Sequence, residues 1–252
     1  MHVLVTGASS GIGEAISRAF ASDGFDVTLV ARRRPEIERI AREIGEGVGT
    51  HTITRDLSEL DGIEDLVREA EQKLGPIDVL VNNAGFCIVN RTDCVEVADS
   101  ERLLRVNLLA PLRLTRAVLP AMVGRGNGVI VNISSAAAFA HPPFQTHYSV
   151  SKAGLAAMSV SLRSELRKKG VHVVTVFPGP IKTAMGKYTT ASYEQDPTGP
   201  LPWGTTDVLA RRILRAVKRK QACIVYPRFY WAVKWLPGIS RRVTDMATID
   251  LK

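Results

Sequence analysis

The chain has 252 residues, 45% of them hydrophobic and 23% charged, which is the ordinary composition of a soluble globular protein. Its net charge of +8 lies in the last fifth, because residues 205–252 hold 11 Lys or Arg and three Asp or Glu. The remainder is neutral, which excludes nucleic-acid binding by the whole domain. Three cysteines without metal-ligand spacing exclude a disulfide framework and a metal site, and predict a reducing, cytoplasmic compartment. Because a strand is predicted from His2, we expect no signal peptide, and no apolar run reaches the about 18 residues of a membrane span.

The first predicted elements enclose a glycine-rich loop. His2–Thr6 form a short apolar strand, which Gly7-Ala8-Ser9-Ser10-Gly11-Ile12-Gly13 follows, and apolar residues then recur at helical spacing up to Phe20. Asp26–Ala31 is the next buried strand, so the loop lies inside a β-α-β unit. Glycines let the backbone approach a pyrophosphate, and the helix N-terminus offers it free N–H groups. A tight turn that needs glycine only for its geometry is the alternative.

Two arginines follow the second strand. Folds that prefer NAD place an acid here to bind the ribose 2′-hydroxyl, whereas this chain has Ala31 and then Arg32 and Arg33. A guanidinium group suits a 2′-phosphate, to which it makes charge-assisted hydrogen bonds. The pattern therefore favours NADP(H), with NAD(H) and a merely solvated loop before Pro35 as the alternatives.

The third and fourth strands end in polar residues. Thr50–Thr54 leads to Asp56 and Leu57, and the following Ser58-x-x-Asp61 is typical of a helix start. Asp56 is therefore predicted either to bind a ligand or only to position this turn. Ile77–Val81 is followed by Asn82-Asn83-Ala84-Gly85, whose asparagines are expected to bind neighbouring strand ends.

The middle of the chain carries the candidate acid–base chemistry. A helix is predicted from Cys94 to Val123, with Asn107 as a polar residue in an apolar run, and a fifth strand from Gly128 to Ile133 ends at Ser134 and Ser135. After a loop, Tyr148 and Lys152 share one face of a helix that continues to about Lys169. A nearby ammonium favours the phenolate, so Lys152 is expected to lower the pKa of Tyr148.

The last part of the chain contains a predicted lid and a basic, aromatic tail. A strand from Val171 to Phe177 leads to Pro178-Gly179-Pro180-Ile181-Lys182-Thr183, and Ala184–Trp203 is predicted to be an irregular loop. A helix from Val208 to Lys220 and a short strand at Ile224-Val225 follow. The aromatic and basic residues between 228 and 242 suit a membrane interface, a partner subunit or the roof of a pocket. Packing is favoured over membrane contact.

These motifs together resemble the short-chain dehydrogenase/reductase family over residues 1–225. The matching features are T-G-x-x-x-G-x-G from Thr6, N-N-A-G from Asn82, then Asn107, Ser135, Tyr148-x-x-x-Lys152 and the P-G pair at Pro178. The resemblance implies one α/β domain over residues 1–252, with a Rossmann-type doubly wound parallel sheet flanked by helices. It also implies a substrate lid at about 184–204 and a C-terminal extension at about 226–252.

The resemblance further implies reversible hydride transfer between NAD(P)(H) and a carbonyl or secondary alcohol, with a hydrophobic substrate and a homodimer or homotetramer. Tyr148 would be the general acid/base, Ser135 would bind the substrate oxygen, Lys152 would also bind the nicotinamide ribose, and Asn107 would hold a water molecule. The implied cofactor-binding residues are Gly7, Ser9, Ser10, Gly11, Ile12, Gly13, Arg32, Arg33, Asp56, Leu57, Asn83, Ala84, Gly85, Tyr148, Lys152, Pro178, Gly179, Ile181 and Thr183. A dinucleotide-binding sensor or scaffold without turnover is the alternative function.

Overall fold

The structure, a computed structural model, describes residues 1–194, 203–235 and 251. Within them, seven parallel strands form one sheet in the order β3-β2-β1-β4-β5-β6-β7. The strands are β1 (His2–Thr6), β2 (Asp26–Ala31), β3 (Thr50–Thr54), β4 (Ile77–Asn82), β5 (Gly128–Ile133), β6 (Val171–Pro178) and β7 (Cys223–Tyr226). Strand order reverses between β1 and β4, and a ligand crevice forms at such a point outside the carboxyl ends of the strands. The predicted doubly wound α/β fold is confirmed.

Helices cover both faces of the sheet. They are α1 (Gly11–Ala21), α2 (Arg34–Ile44), α3 (Ile63–Leu74), α4 (Val97–Leu104), α5 (Ala110–Arg125), α6 (Ala137–Ala140), α7 (Thr146–Leu166), α8 (Ala184–Ala191), α9 (Thr206–Lys218) and α10 (Tyr230–Trp235). Side chains alternate along each strand, so Val3 and Val5 join a core with α1, α2 and α9, whereas Leu4 joins a second core with α3, α5 and α7. Both faces are buried, which explains why the central strands are almost wholly apolar.

A polar chain crosses the second core at the sheet. The Asn82 amide donates to Asn132 Oδ1 at 2.8 Å and to Thr115 Oγ1 at 3.3 Å, and the Asn132 amide donates to Ser159 Oγ at 2.8 Å. All four side chains are buried. The loss of any one partner would leave a buried polar group without its hydrogen bond and would lower the free energy of unfolding by about 1–3 kcal/mol. These bonds therefore fix β4 against β5 and α7, as expected for an asparagine at the end of β4.

The helix predicted from Cys94 to Val123 contains a π-helical turn around Asn107. Continuous helix runs from Val97 to Arg125, with a π-helical turn at Arg105–Leu109 between α4 and α5. Within the described part of the chain, this is the one helix long and apolar enough to span a membrane, with a mean hydropathy of 1.2. A core helix satisfies the same criteria, and Leu114 and Met122 pack in the second core. The apolar window of this helix is 39% buried, so packing accounts for part of its apolar character.

Two local predictions are wrong. The helix predicted to start near Ser58 begins at Ile63, because Gly62 has a positive φ of 80° that interrupts the helical backbone. The predicted irregular loop is helical at Ala184–Ala191, where the Thr183 hydroxyl accepts the Gly186 N–H and caps α8. The rest of the predicted lid includes residues 195–202, which lie outside the described residues.

Candidate active site

The glycine loop lies at the carboxyl end of β1, against the turn after β4. Gly7 and Gly11 have positive φ angles of 65° and 60°, which glycine adopts without strain. The Thr6 hydroxyl accepts the N–H groups of Asn83 and Ala84, both at 3.0 Å, and the Asn83 amide donates to the Thr6 carbonyl at 2.8 Å. No side chain caps the N-terminus of α1 at Ser10. Its N–H groups therefore suit a phosphate ligand, and the loop fits a dinucleotide.

Gly13 is the position in this loop that is least tolerant of a side chain. A Cβ atom at Gly13 would lie 2.2 Å from the Gly7 carbonyl oxygen and 2.6 Å from Asn83 Nδ2. Alanine normally stabilises a helix by up to about 1 kcal/mol relative to glycine. We expect Gly13→Ala to lower the free energy of unfolding by about 1–3 kcal/mol, because the loop must move away from α1. Urea unfolding and NADPH titration measure the two effects.

Gly124 provides the matched control for this substitution. It also lies in a helix, but a Cβ atom there meets no atom within 4 Å. Gly124→Ala should therefore leave cofactor affinity unchanged and raise stability slightly. If both variants behave alike, the close approach of Gly13 to Gly7 does not constrain the loop.

The two arginines after β2 occupy different positions beside the loop. The Arg33 guanidinium donates to Ser9 Oγ at 2.9 Å and to Ser10 Oγ at 2.7 Å. Arg32 is 60% exposed and lies 3.7 Å from a carboxylate oxygen of Asp56. The loop carries no basic residue of its own at Ser10, and Arg33 brings a positive charge to that place. The arrangement fits a doubly charged phosphate near the second strand.

Asp56 lies at the end of β3 and is fixed locally. Burial acts to raise its pKa, but hydrogen bonds from the Ser58 N–H and hydroxyl, then from Arg102, outweigh burial and lower the pKa. The carboxylate also lies 3.1 Å from the Arg102 guanidinium. Asp56 thus shapes its turn and balances two arginines at the edge of the crevice.

The turn of α7 that carries Tyr148 and Lys152 is anchored from two sides. From β5, the buried Ser134 hydroxyl donates to the Lys152 carbonyl at 2.7 Å. From the π-helical turn, the Asn107 amide donates to Ser151 Oγ at 3.1 Å, and Ser151 donates to the Tyr148 carbonyl at 2.7 Å. Ser134 is therefore occupied with holding the helix.

Asn107 also fixes the segment after β4. Its side-chain oxygen accepts the Phe86 N–H at 3.0 Å, and its amide donates to the Phe86 carbonyl at 2.9 Å. A Cβ atom on Gly85 would lie 3.0 Å from Asn107 Oδ1 and 3.3 Å from Lys152 Nζ. Asn107 and Lys152 therefore both lie close to Gly85, where a side chain would require one of them to shift.

Lys152 is buried, with 4% of its surface exposed, and its ammonium donates to the Ile133 carbonyl at 2.9 Å. Burial lowers the pKa of Lys152 to about 8. Its Nζ atom lies 5.8 Å from the centre of the Tyr148 ring. The ammonium is thus mostly charged at neutral pH, but a modest rise in pH removes the charge.

Tyr148 has a pKa shifted in the opposite direction to the expected one. Burial raises the pKa of Tyr148 and the negative charge of the Cys87 thiolate raises it further, while a hydrogen bond with Ser135 lowers it. The expected lowering by Lys152 is not among the causes of this shift, and the removal of the phenolate from water dominates it. At neutral pH the phenol is protonated, which suits a proton donor.

The predicted P-G segment reaches the same edge of the sheet. The Pro180 carbonyl accepts the Gly204 N–H at 2.8 Å, and Ile181 is buried. A Cβ atom on Gly179 would lie 2.6 Å from the Tyr230 ring. The Thr183 methyl carbon lies 3.3 Å from the Cβ position of Gly11, so the start of α8 contacts the glycine loop.

Sequence spacing does not link the residues of the wall around Tyr148. This wall comprises Cys87, Val89, Phe144, Tyr193 and Leu251, which cluster with Tyr148. The Gln145 amide donates to the Tyr193 hydroxyl at 3.1 Å, and that hydroxyl donates to the Pro143 carbonyl at 2.6 Å. These residues come from separate loops, so no spacing links them, although Cys87 follows the N-N-A-G motif closely. The wall is mainly apolar.

The chain is similar to known short-chain dehydrogenases. A family model described as short chain dehydrogenase matches residues 1–194. A short chain dehydrogenase of Pseudocercospora fijiensis is 38% identical over 73% of this chain and 60% of its own length. A very-long-chain 3-oxoacyl-CoA reductase of Anas platyrhynchos is 36% identical over 76% of this chain and 63% of its own length. The chain thus spans less than two thirds of both relatives.

A solved structure resembles almost the whole chain. The short-chain dehydrogenase from Sphingobium yanoikuyae, in complex with NADPH, is 31% identical and superposes with a TM-score of 0.81. The match covers 99% of this chain and 96% of that protein.

Proposed function

Because the chain belongs to the short-chain dehydrogenase/reductase family, we propose that it transfers hydride between NADP(H) and a carbonyl or secondary alcohol of a hydrophobic substrate. Family membership makes it an oxidoreductase with a Rossmann fold that binds a nicotinamide dinucleotide. The observation that carries the finer proposal is the meeting of Ser135, Tyr148 and Lys152 at one edge of the crevice.

Different residues of the protein would donate a proton and a hydrogen bond to the substrate oxygen. A bound nicotinamide cofactor supplies or accepts the hydride. Tyr148, protonated at neutral pH, gives its proton to the oxygen during reduction, and Ser135 donates a hydrogen bond to the same oxygen. Lys152 places positive charge beside the phenol as its negative charge develops, and would also bind the nicotinamide ribose, as the family resemblance implies. Asn107 holds Ser151 and Phe86, and so positions both sides of the site.

The arginines beside the glycine loop support a preference for NADP(H). A charge-assisted hydrogen bond contributes about 1.5–3 kcal/mol, which corresponds to roughly 10–100-fold in affinity. We expect Arg32→Ala and Arg33→Ala each to weaken NADPH binding by about that factor and to affect NADH little. Fluorescence titration with both cofactors measures this difference.

Arg34→Ala is the control for cofactor preference. Arg34 is exposed and pairs with Glu38 at 2.7 Å on its own helix, away from Ser9 and Ser10. Arg34→Ala should leave the affinities for NADPH and NADH unchanged. Equal weakening of NADPH and NADH by the Arg33 variant would mean that Arg33 only shapes the loop through Ser9 and Ser10.

The wall around Tyr148 supports an apolar substrate. Val89, Phe144 and Leu251 present hydrocarbon, and the Anas relative is named for 3-oxoacyl-CoA reduction. We therefore propose a ketone on a long apolar chain, such as a 3-oxoacyl thioester. NADPH consumption should be measured with ketones of increasing chain length, and with NADH as the second cofactor. A rate that falls with chain length, or no turnover of any ketone or aldehyde, would contradict the proposal.

A further inference from the structure

Helix α10 exposes a face that the site does not use. Arg228 and Phe229 in the turn before α10, and Ala232 and Trp235 on the helix itself, are exposed, and we refer to these four residues as the α10 outer face. Phe229 is 52% exposed and Trp235 is 72% exposed. Large aromatic side chains at such exposure leave apolar surface in water, which marks a contact surface when it is contiguous.

The opposite face of α10 anchors the helix to the domain. Tyr230 is buried with Phe177 and Ala136, and Lys234 Nζ lies 4.4 Å from the centre of the Phe177 ring. Trp231 packs against the same cluster and stacks on Trp235 at 6.4 Å. The sequence favoured packing for this segment. The residues that pack against the domain are Tyr230, Trp231 and Lys234. The residues of the α10 outer face do not take part in this packing.

We propose that the α10 outer face docks on an anionic membrane surface. Aromatic side chains beside basic residues are the usual composition of an interfacial anchor, since rings enter the headgroup region and cations meet lipid phosphates. The whole +8 excess of the chain lies in residues 205–252, which include Arg241 and Arg242 beyond the described part. A second copy is the weaker choice, because a symmetric contact would bring two such basic segments together.

Helix α10 lies close to the candidate active site, so docking through this helix would bring the site near the membrane. The helix packs against α6, which begins two residues after Ser135, and the Tyr230 ring lies against Gly179 of the P-G segment. Helix α10 therefore lies beside the carboxyl edge of the sheet, with its outer face turned away from Gly179. A docked protein would receive apolar molecules from the bilayer at the end where Tyr148 lies. The docking itself does not depend on the proposed reaction.

Vesicle flotation tests the docking with the full chain. The intact protein should float with phosphatidylcholine–phosphatidylserine vesicles at low salt, and much less with phosphatidylcholine alone or at high salt. Phe229→Ser/Trp235→Ser should lower the bound-to-free ratio by about tenfold or more, because two apolar anchors are lost. Arg228→Ala should weaken binding to the anionic vesicles alone.

The matched control removes exposed apolar side chains elsewhere. Val97 and Val160 are 70% and 57% exposed, and Val97→Ser/Val160→Ser should float like the unaltered protein. Circular dichroism of each variant establishes that it is folded. Absence of flotation of the unaltered protein, or equal flotation of both double variants, would overturn the proposal. So would sedimentation showing that Phe229→Ser/Trp235→Ser dissociates an oligomer without changing vesicle binding, because the face would then be a subunit contact.

Discussion

Replacement of Tyr148 by phenylalanine is expected to lower kcat for carbonyl reduction by about 10²–10⁴-fold, the usual contribution of a general acid. The substitution removes the hydroxyl that lies beside Ser135 and leaves the ring in the apolar wall with Cys87 and Phe144. Steady-state NADPH oxidation with a ketone substrate measures kcat, and titration of NADPH fluorescence measures cofactor binding. Binding should change little, because the glycine loop and the arginines are untouched.

An exposed tyrosine separates this effect from a general loss of structure. Tyr188 is 50% exposed on α8, and Tyr188→Phe should retain full activity. Full activity of Tyr148→Phe would refute the role of Tyr148 as acid. Loss of both activity and NADPH binding would instead assign the residue to cofactor binding.

Lys152→Met is expected to lower kcat by about 10²–10³-fold, because the developing phenolate loses its buried positive charge. The same substitution should preserve or raise the free energy of unfolding, since methionine does not require the removal of an ammonium from water. Kinetics and urea unfolding together therefore distinguish an electrostatic role from a structural one. The exposed Lys168 supplies the control variant, Lys168→Met, which should affect neither measurement.

The pH profile provides a second test of Lys152. Burial lowers the pKa of Lys152 to about 8, so the ammonium is present below that pH and is lost as the pH rises through it. The rate of reduction should therefore fall on the alkaline side of about pH 8. The residual rate of Lys152→Met should lack this alkaline fall. If its profile retains the same fall, another group controls the reaction.

The sequence by itself determined the fold and the motif positions. Strand and helix periods differ, so apolar spacing separates β1 from α1, and glycines at 7, 11 and 13 mark the loop between them. The fixed interval from Ser135 to Tyr148 and Lys152 identified a candidate site whose members the structure brings to one edge. Their catalytic roles stay predictions.

Local signals failed where the backbone departed from them. Ser58-x-x-Asp61 is typical of a helix start, but Gly62 at positive φ delays α3 to Ile63. Few periodic residues after Thr183 predicted an irregular loop, but the Thr183 cap is enough to start α8. Such outcomes depend on single hydrogen bonds and backbone angles, which composition does not specify.

Only the tertiary structure decided the electrostatics and the partners of the site. Helical spacing brings Lys152 near Tyr148, but the direction in which the pKa of Tyr148 shifts depends on how far the fold removes the phenol from water. Ser134 and Ser135 are neighbours in sequence, and the fold turns one toward the Lys152 carbonyl and the other toward Tyr148. Arg33 reaches Ser9 and Ser10 across 24 and 23 positions of chain. Desolvation and long-range contacts arise from packing between elements, and no single segment encodes them.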